Sequence, residues 1–240
     1  MRSVINGFAT AVRASNFTPL SRNVVQFERL RLSQVRNFSV ESSPVCWNCL
    51  KKSELKKKMI CSDCGHLQDV NAEINYFDLL SFPTEFSLES QKLTKSFRQL
   101  QTIVHPDKYS NKTSREQTNS ADWSSLINKA YKTLATPIER GQYLLQLAGE
   151  QMPQDNSALN KEFLMAMMER NEEVEEAEDT KALNELNTQL IKELDEMAKK
   201  LNSLFKSKDL KGVKETLVEM KYLLSIQNSI KQKQQSLLGS

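Results

Sequence analysis

The chain has 240 residues, of which 39% are hydrophobic and 26% charged, and its formal net charge is only +3. This length fits one large domain or two to three small ones, and the weak net charge argues against a dedicated nucleic-acid-binding protein. No apolar run approaches the roughly 18 residues that a membrane-spanning helix needs, which excludes such a helix.

The first forty residues differ in composition from the rest of the chain. They contain six arginines, one acid (Glu28) and no lysine, and serine, threonine and asparagine fill much of the remainder. Such a composition is typical of an organelle transit peptide, with a disordered basic tail as the alternative. The run Arg36-Asn37-Phe38-Ser39 also resembles a mitochondrial processing site, with cleavage near Phe38. We therefore predict a transit peptide over residues 1–38 and a protein of the mitochondrial matrix, with the cytoplasm as a second location.

Two closely spaced pairs of cysteines come next, and their members are Cys46, Cys49, Cys61 and Cys64. Two residues separate the members of each pair and eleven separate the pairs, so that four thiolates can meet at the corners of a tetrahedron. Gly65 gives the second pair the backbone freedom of a tight turn, and His66 is predicted to be a solvated neighbour. We predict a structural zinc site in a module of residues 39–70, with a redox switch or an iron–sulfur ligand set as alternatives.

Two helical patterns flank the tripeptide His105-Pro106-Asp107. The preceding helix, predicted from about Leu88 to Val104, follows a short helix beginning at Tyr76 and has apolar residues four, three and four positions apart. The following helix has its own apolar face, and Pro106 forces the chain to turn between the two helices. We predict an antiparallel helical hairpin. A catalytic pair of His105 and Asp107 is disfavoured, because no nucleophile or metal ligand lies nearby in the sequence.

The first helix of this hairpin has a basic face, consisting of Lys92, Lys95 and Arg98, with no acid on it. A solvated helix surface is the alternative to a binding face. The His-Pro-Asp tripeptide at the tip of a hairpin, followed by Lys108, resembles the signature loop of the DnaJ family. J-domains of that family stimulate the ATPase of DnaK-type chaperones. The resemblance implies that the tripeptide and the basic face contact such a chaperone.

Downstream residues narrow this resemblance. Thr136-Pro137 predicts the start of another helix, from Ile138 to Leu147. The run 127–134, followed by Pro137, Arg140 and Tyr143-Leu144-Leu145, is similar to the HscB family, the J-proteins of iron–sulfur cluster assembly. General DnaJ proteins would continue with a Gly/Phe-rich linker, whereas this chain has only six glycines.

The carboxyl-terminal part has three helical patterns with short breaks near residues 178–180 and 207–209. We predict a J-domain over residues 71–149, a linker over 150–157 and an antiparallel three-helix bundle over 158–238. The fold class is therefore all-α: a J-domain hairpin plus a three-helix bundle, preceded by a small zinc knuckle module. The HscB resemblance implies that the whole is L-shaped.

The first bundle helix has apolar residues on two sides. Phe163, Met167, Val174 and Ala177 share the side predicted to face the bundle, and Leu164, Met165 and Met168 project roughly opposite. A methionine stripe is more often core than binding site, but one helix cannot bury both sides in a three-helix bundle. Residues 161–200 contain twelve acids and six bases. Exposed apolar groups rimmed by acids predict an interaction surface for a basic partner.

HscB proteins bind an IscU-type scaffold through such a surface, and Phe163-Leu164-Met165-x-x-Met168-Glu169 matches the family's Phe-Leu-Met-x-x-Leu-Glu pattern. Asn171 departs from the family's arginine. The resemblance implies a scaffold-binding site formed by Leu164, Met165, Met168, Glu169, Glu172, Glu176 and Tyr222.

The expected protein is a non-enzymatic co-chaperone, monomeric or weakly dimeric, with zinc as its only cofactor and neither nucleic acid nor membrane as partner. It would stimulate a mitochondrial DnaK-type ATPase and deliver the cluster-loaded scaffold, promoting cluster transfer to recipient proteins. A general folding co-chaperone and a metal-sensing or redox enzyme are the alternatives.

Overall fold

The computed structural model describes residues 45–51, 59–71, 73–153 and 159–238. The predicted transit peptide, the basic loop of residues 52–58 and the second half of the predicted linker, residues 154–157, lie outside this range. Within it the regular structure is helical, apart from isolated bridge residues such as the antiparallel pair of Ile60 and Leu67. The predicted all-α fold class is confirmed, and no helix in the described part is long and apolar enough to cross a membrane.

Seven α-helices follow one another along the described chain. Their bounds are Tyr76–Leu79 (α1), Ser90–Val104 (α2), Ser114–Ala135 (α3), Pro137–Leu147 (α4), Lys161–Glu176 (α5), Thr180–Ser207 (α6) and Leu210–Leu238 (α7). Side chains that accept a backbone N–H begin several of them, as Thr113 does for α3 and Asn160 for α5. Thr136 makes no such bond, and α4 begins with Pro137 at its first position.

Helices α1 to α4 share a core in which the apolar faces of α2 and α3 meet. Leu93, Ile127 and Leu134 are fully buried there. Helix α1 is joined to α4 by Tyr143, whose hydroxyl accepts the Tyr76 N–H at 3.0 Å while the two rings stack. Burial of the apolar faces of α2 and α3 against each other holds these two helices together as a hairpin.

Helices α5, α6 and α7 pack together around a second group of buried apolar residues. Met167 and Val174 of α5 pack with Leu183 and Leu190 of α6, and all four are buried. Helix α7 has buried residues on several of its sides. These are Val213, Thr216, Leu217, Val218, Met220, Leu223, Ile226 and Ile230.

The side of α7 that carries Leu217 packs against α4. A Cβ placed on Gly141 of α4 would lie 2.6 Å from Cδ2 of Leu217, so this position accepts only glycine without rearrangement. Phe86 stacks on Phe205 at 5.4 Å between ring centroids. Leu217 and Met220 therefore belong to the same apolar core as the hairpin residues. We call this contact of α4 with α7 the α4–α7 seam.

Candidate functional site

The tip of the hairpin is an exposed polar turn formed by His105, Pro106 and Asp107. Pro106 opens a single 3-10 turn that runs to Tyr109. The backbone N–H of Asp107 donates to Nδ1 of His105 at 3.3 Å, so the imidazole braces the turn. The Asp107 side chain is 90% exposed, with Oδ2 at 3.5 Å from the same His105 nitrogen. The turn thus presents an exposed carboxylate beside the His105 imidazole.

Hydrogen bonds from buried groups hold the base of this turn. Ser120 of α3 is fully buried, and its hydroxyl donates to the Val104 carbonyl oxygen at 2.7 Å. The Tyr109 hydroxyl donates to the Ile103 carbonyl oxygen at 3.3 Å. The last turn of α2 is therefore tied to α3 immediately before His105.

The basic face of α2 borders a shallow groove along the helix. Lys95 and Arg98 line this groove with Gln91, Thr94 and Thr102. Within the described residues neither Lys95 nor Arg98 has an ion-pair partner, so both charges face solvent.

One detail of the predicted basic face is wrong. Glu89, the residue before α2, pairs with Lys92 at 2.7 Å, because a three-residue spacing brings the two side chains together. The sequence interpretation placed no acid on this face. Helix α2 starts at Ser90 rather than Leu88, and Lys92 is the one cation of the three that is paired.

The four cysteines converge as their spacing predicts. All four Sγ atoms lie within 4.8 Å of one another. Cys46 Sγ is 3.5 Å from Cys64 Sγ, and Cys49 Sγ is 3.8 Å from Cys61 Sγ. Sulfurs bound at 2.3 Å to one tetrahedral ion would be about 3.8 Å apart, whereas a disulfide needs about 2 Å. The cluster therefore fits one metal ion held by four thiolates.

The two cysteine pairs form similar knuckles. Gly65 has a left-handed φ of 74° and donates its N–H to the Cys61 carbonyl oxygen at 2.9 Å. Leu50 takes the same role in the first knuckle, with φ of 59° and an N–H bond of 3.0 Å to Cys46 O. A glycine therefore indicates the tight turn in the second knuckle only, because Leu50 takes that position in the first.

Electrostatics within the cluster favour a cation. The backbone N–H of His66 lowers the pKa of the Cys64 thiol to about 6. The Lys51 backbone N–H also lowers the pKa of Cys49, but burial and the neighbouring thiols outweigh it and raise that pKa to about 12. Four like charges in one site cannot all form without a compensating positive ion. A bound metal would supply that charge, and zinc would fill a closed, structural site with no open position.

His66 is not the solvated neighbour that the sequence predicted. Its ring is half-buried and packs edge-on against Trp47 at 5.4 Å between ring centroids. Nδ1 of His66 lies 3.1 Å from the Cys64 carbonyl oxygen and 3.2 Å from the Asn48 amide nitrogen. The imidazole therefore belongs to the packing of the two knuckles.

Helix α5 carries the second predicted site. Met165 is 52% exposed and Met168 is 64% exposed, whereas Leu164 is half-buried. Three carboxylates on the same helix are exposed, those of Glu169, Glu172 and Glu176. We call these six residues the methionine surface.

Tyr222 of α7 lies beneath one end of the methionine surface. It is half-buried and contacts Phe163 edge-on at 6.1 Å between ring centroids. Phe163 is the residue next to Leu164, so Tyr222 supports the start of α5 rather than standing apart from it.

The sequence analysis did not predict the ion pair that joins α5 to α6. Arg170 donates from both terminal nitrogens to Glu193, at 2.6 and 2.9 Å. Gln189 also bonds to Glu193, at 3.3 Å. No local spacing connects residues 23 positions apart on different helices, so only the packing of the bundle shows this pair.

This chain is similar to known proteins in both sequence and fold. A family model described as the HSCB C-terminal oligomerisation domain matches residues 159–231. The iron–sulfur cluster co-chaperone protein HscB of Mus musculus is 34% identical over 192 residues, which are 79% of this chain and 82% of the mouse protein. The chain belongs to the HscB family. The resemblance predicted from the motifs is thereby confirmed.

Solved HscB structures agree with this assignment. The crystal structure of human co-chaperone protein HscB has a TM-score of 0.74 and 34% identity, over 80% of this chain and 98% of the human one. HscB from Vibrio cholerae has a TM-score of 0.62 and 28% identity, over 68% of this chain and 99% of the bacterial one. The chain is therefore an HscB-family iron–sulfur cluster co-chaperone by sequence and by fold.

Proposed function

We propose that this HscB-family chain is a mitochondrial co-chaperone with two binding surfaces. The first is the turn of His105, Pro106 and Asp107 together with Arg98, Lys95 and Lys92. It engages a DnaK-type chaperone and accelerates its ATP hydrolysis. The second is the methionine surface with Tyr222, which binds an IscU-type scaffold carrying an iron–sulfur cluster. The protein thereby delivers the scaffold to the chaperone and promotes cluster transfer to recipient proteins, without being an enzyme itself.

The observation that carries this proposal is the α4–α7 seam. Leu217 and Met220 of the bundle share one apolar core with the hairpin, and Lys214 of α7 pairs with Glu150 at 2.7 Å after α4. Two surfaces on one packed body hold their ligands at a fixed separation. This raises the concentration of bound scaffold near the chaperone without any new contact.

Each surface has the chemistry that its proposed partner requires. The unpaired cations of α2 suit an acidic chaperone surface, and the 90% exposed Asp107 carboxylate can reach an arginine of that partner. Exposed methionines adapt to an irregular apolar partner surface, and the surrounding carboxylates favour a basic one. The assignment of residues 71–149 as J-domain, 150–157 as linker and 158–238 as scaffold-binding bundle follows from this division.

The remaining parts of the proposal concern the amino-terminal end. Residues 1–38 would direct the protein to mitochondria and be removed near Phe38. The module of residues 39–70 would hold structural Zn²⁺ through its four cysteines, since the four sulfurs lie within 4.8 Å of one another.

A mixing experiment tests whether both surfaces must share one molecule. We expect the wild-type chain to stimulate ATP turnover by a DnaK-type chaperone, and an IscU-type scaffold to increase that turnover further. A mixture of Asp107→Ala with the triple variant Leu164→Ala, Met165→Ala and Met168→Ala contains each surface once, on different molecules. It should lack the scaffold-dependent increase. The control is the wild-type protein at half its concentration. A mixture with the same scaffold-dependent turnover as this control would contradict the two-surface proposal.

A further inference from the structure

The cysteine module is attached to helix α3 by a short segment, Leu67 to Asp69, which we call the strap. On the module side, Trp47 donates its indole N–H to the Leu67 carbonyl oxygen at 2.8 Å. The Gln68 side chain accepts the Trp47 backbone N–H at 3.3 Å and donates to the His66 carbonyl oxygen at 2.7 Å. The strap is therefore bonded to both knuckles of the cluster.

On the other side, the strap is bonded to three consecutive turns of α3. The Leu67 N–H donates to Glu116 Oε1 at 3.4 Å, and Asn119 donates to the Leu67 carbonyl oxygen at 3.2 Å. Trp123 donates its indole N–H to the Gln68 carbonyl oxygen at 2.8 Å. All three α3 residues are buried, at 4%, 5% and 5% exposure.

Burial makes these bonds costly to lose. The Leu67 side chain is fully buried in the same core as Leu93 and Ile127. If the strap left α3, this leucine would be exposed and the amide of Asn119 and the indole of Trp123 would lose buried partners. The strap is therefore a part of the hairpin core that is supplied by the module.

The same stretch of α3 holds the turn at the tip of the hairpin. Glu116 bonds the Thr113 hydroxyl at the start of α3. Ser120, four residues on, donates to the Val104 carbonyl oxygen directly before His105. Strap contacts at Asn119 and Trp123 thus lie on either side of Ser120, whose bond ties α2 to α3.

We propose that Glu116, Asn119 and Trp123 are positioning residues which link metal binding at the cysteine cluster to the order of the His105–Asp107 turn. The module has little core of its own, so without an ion its knuckles and the strap would separate from α3. Coupling of this kind is reciprocal: if metal binding favours the docked strap, strap docking favours metal binding by the same factor.

The two tryptophans of the chain, Trp47 and Trp123, both bond to the strap. Their emission therefore reports directly whether the strap is docked. We would titrate the metal-free full-length protein with Zn²⁺ alone and follow tryptophan emission, with a colorimetric chelator as competitor to obtain the affinity. Hydrogen exchange of the amides in residues 102–120 would be measured with and without Zn²⁺.

In the wild type we expect Zn²⁺ removal to shift the emission to longer wavelength and to increase exchange in residues 102–120. Asn119→Ala should weaken Zn²⁺ binding at least about fivefold, because the amide donates to both the Leu67 carbonyl oxygen and Asp69 Oδ1 of the strap. Thr118→Ala is the matched control, because this exposed neighbour bonds only within α3. Trp123→Phe removes the indole N–H while keeping a ring, and should weaken Zn²⁺ binding to a similar extent.

Unchanged Zn²⁺ affinity in both Asn119→Ala and Trp123→Phe, or exchange in residues 102–120 that ignores Zn²⁺, would overturn the proposal. Only the consequence for chaperone stimulation rests on the proposed function. If exchange and affinity respond as expected but the ATPase is never stimulated, the proposed function fails and the linkage stands. If metal-free protein stimulates fully and its exchange is unchanged, the linkage fails and the proposed function stands.

Discussion

The turn at the hairpin tip and the methionine surface are built in opposite ways. The turn is polar and fixed by hydrogen bonds, from Asp107 N–H to His105 and from Ser120 to Val104. The methionine surface has an apolar centre beside three exposed carboxylates, and its helix has only two buried residues, Met167 and Val174. One surface therefore depends on the direction of a single carboxylate, and the other on apolar area that can adapt.

This difference has a consequence for specificity. A directed charge pair discriminates strongly but fails when its geometry shifts, whereas flexible thioether side chains tolerate small shifts. We expect chaperone binding at the His105–Asp107 turn to be sensitive to changes in the core below it. We expect the methionine surface to be sensitive mainly to changes in its own side chains.

The largest expected effect comes from Asp107→Ala. Loss of one partner of an interfacial charge pair costs about 2–5 kcal/mol, so half-maximal stimulation of the chaperone ATPase should require at least ~30-fold more protein. Scaffold affinity should stay as in the wild type, since the methionine surface is untouched. Asp122→Ala, an exposed change on α3, is the control for altered charge. Loss of scaffold binding in Asp107→Ala would show that the two surfaces are not separate.

The next largest effect is expected for Leu164→Ala, Met165→Ala and Met168→Ala combined. Effects of such truncations are not additive, so the three together should cost about 2 kcal/mol of scaffold binding, and calorimetry should detect roughly 30-fold weaker affinity. Chaperone stimulation in the absence of scaffold should be unchanged. Ile191→Ala removes an equally exposed apolar group (52%) from α6 and should have no effect on either partner. Scaffold affinity equal to the wild type would rule out the methionine surface.

A smaller effect, on stability rather than binding, is expected for Gly141→Val at the α4–α7 seam. The new side chain would collide with the fully buried Leu217, and overpacking of this kind costs about 1–3 kcal/mol. Denaturant unfolding should show the decrease, and Gln146→Ala on the exposed side of α4 should show none. An unchanged unfolding midpoint would mean that the seam yields easily and that the two surfaces are not held rigidly.

The smallest effect is expected for Arg115→Ala. Hydrogen bonding from Arg115 lowers the pKa of Asp69 below its usual value, so this pair stabilises the fold above the ordinary Asp pKa. The stabilisation is lost as the pH falls through the lowered pKa of the folded state. Thermal melts should therefore show a decrease of a few degrees at most at neutral pH, and a smaller difference below about pH 4. A difference that grows on acidification would contradict this account.

Periodicity and spacing predicted much of the fold because they record short-range constraints. The breaks near residues 178–180 and 207–209 match the ends of α5 and α6, since helix termination is a local property. The cysteine spacing likewise predicted convergent sulfurs, which the structure places within 4.8 Å of one another. The half-buried position of His66 was missed because it depends on what packs around the ring. The Glu89–Lys92 pair follows from a local three-residue spacing, so the sequence could have shown it.

The amino-acid sequence alone was enough to predict the helices, the polar turn and the two apolar sides of α5. Each of these features depends on residues within a few helical turns of one another. The contacts that hold those elements against one another are visible only in the tertiary structure. The contact of Gly141 with Leu217, the pairing of Arg170 with Glu193 and the docking of Leu67 on α3 join residues far apart in the chain. No local pattern encodes such contacts, because they arise only when burial of apolar surface brings separate helices together.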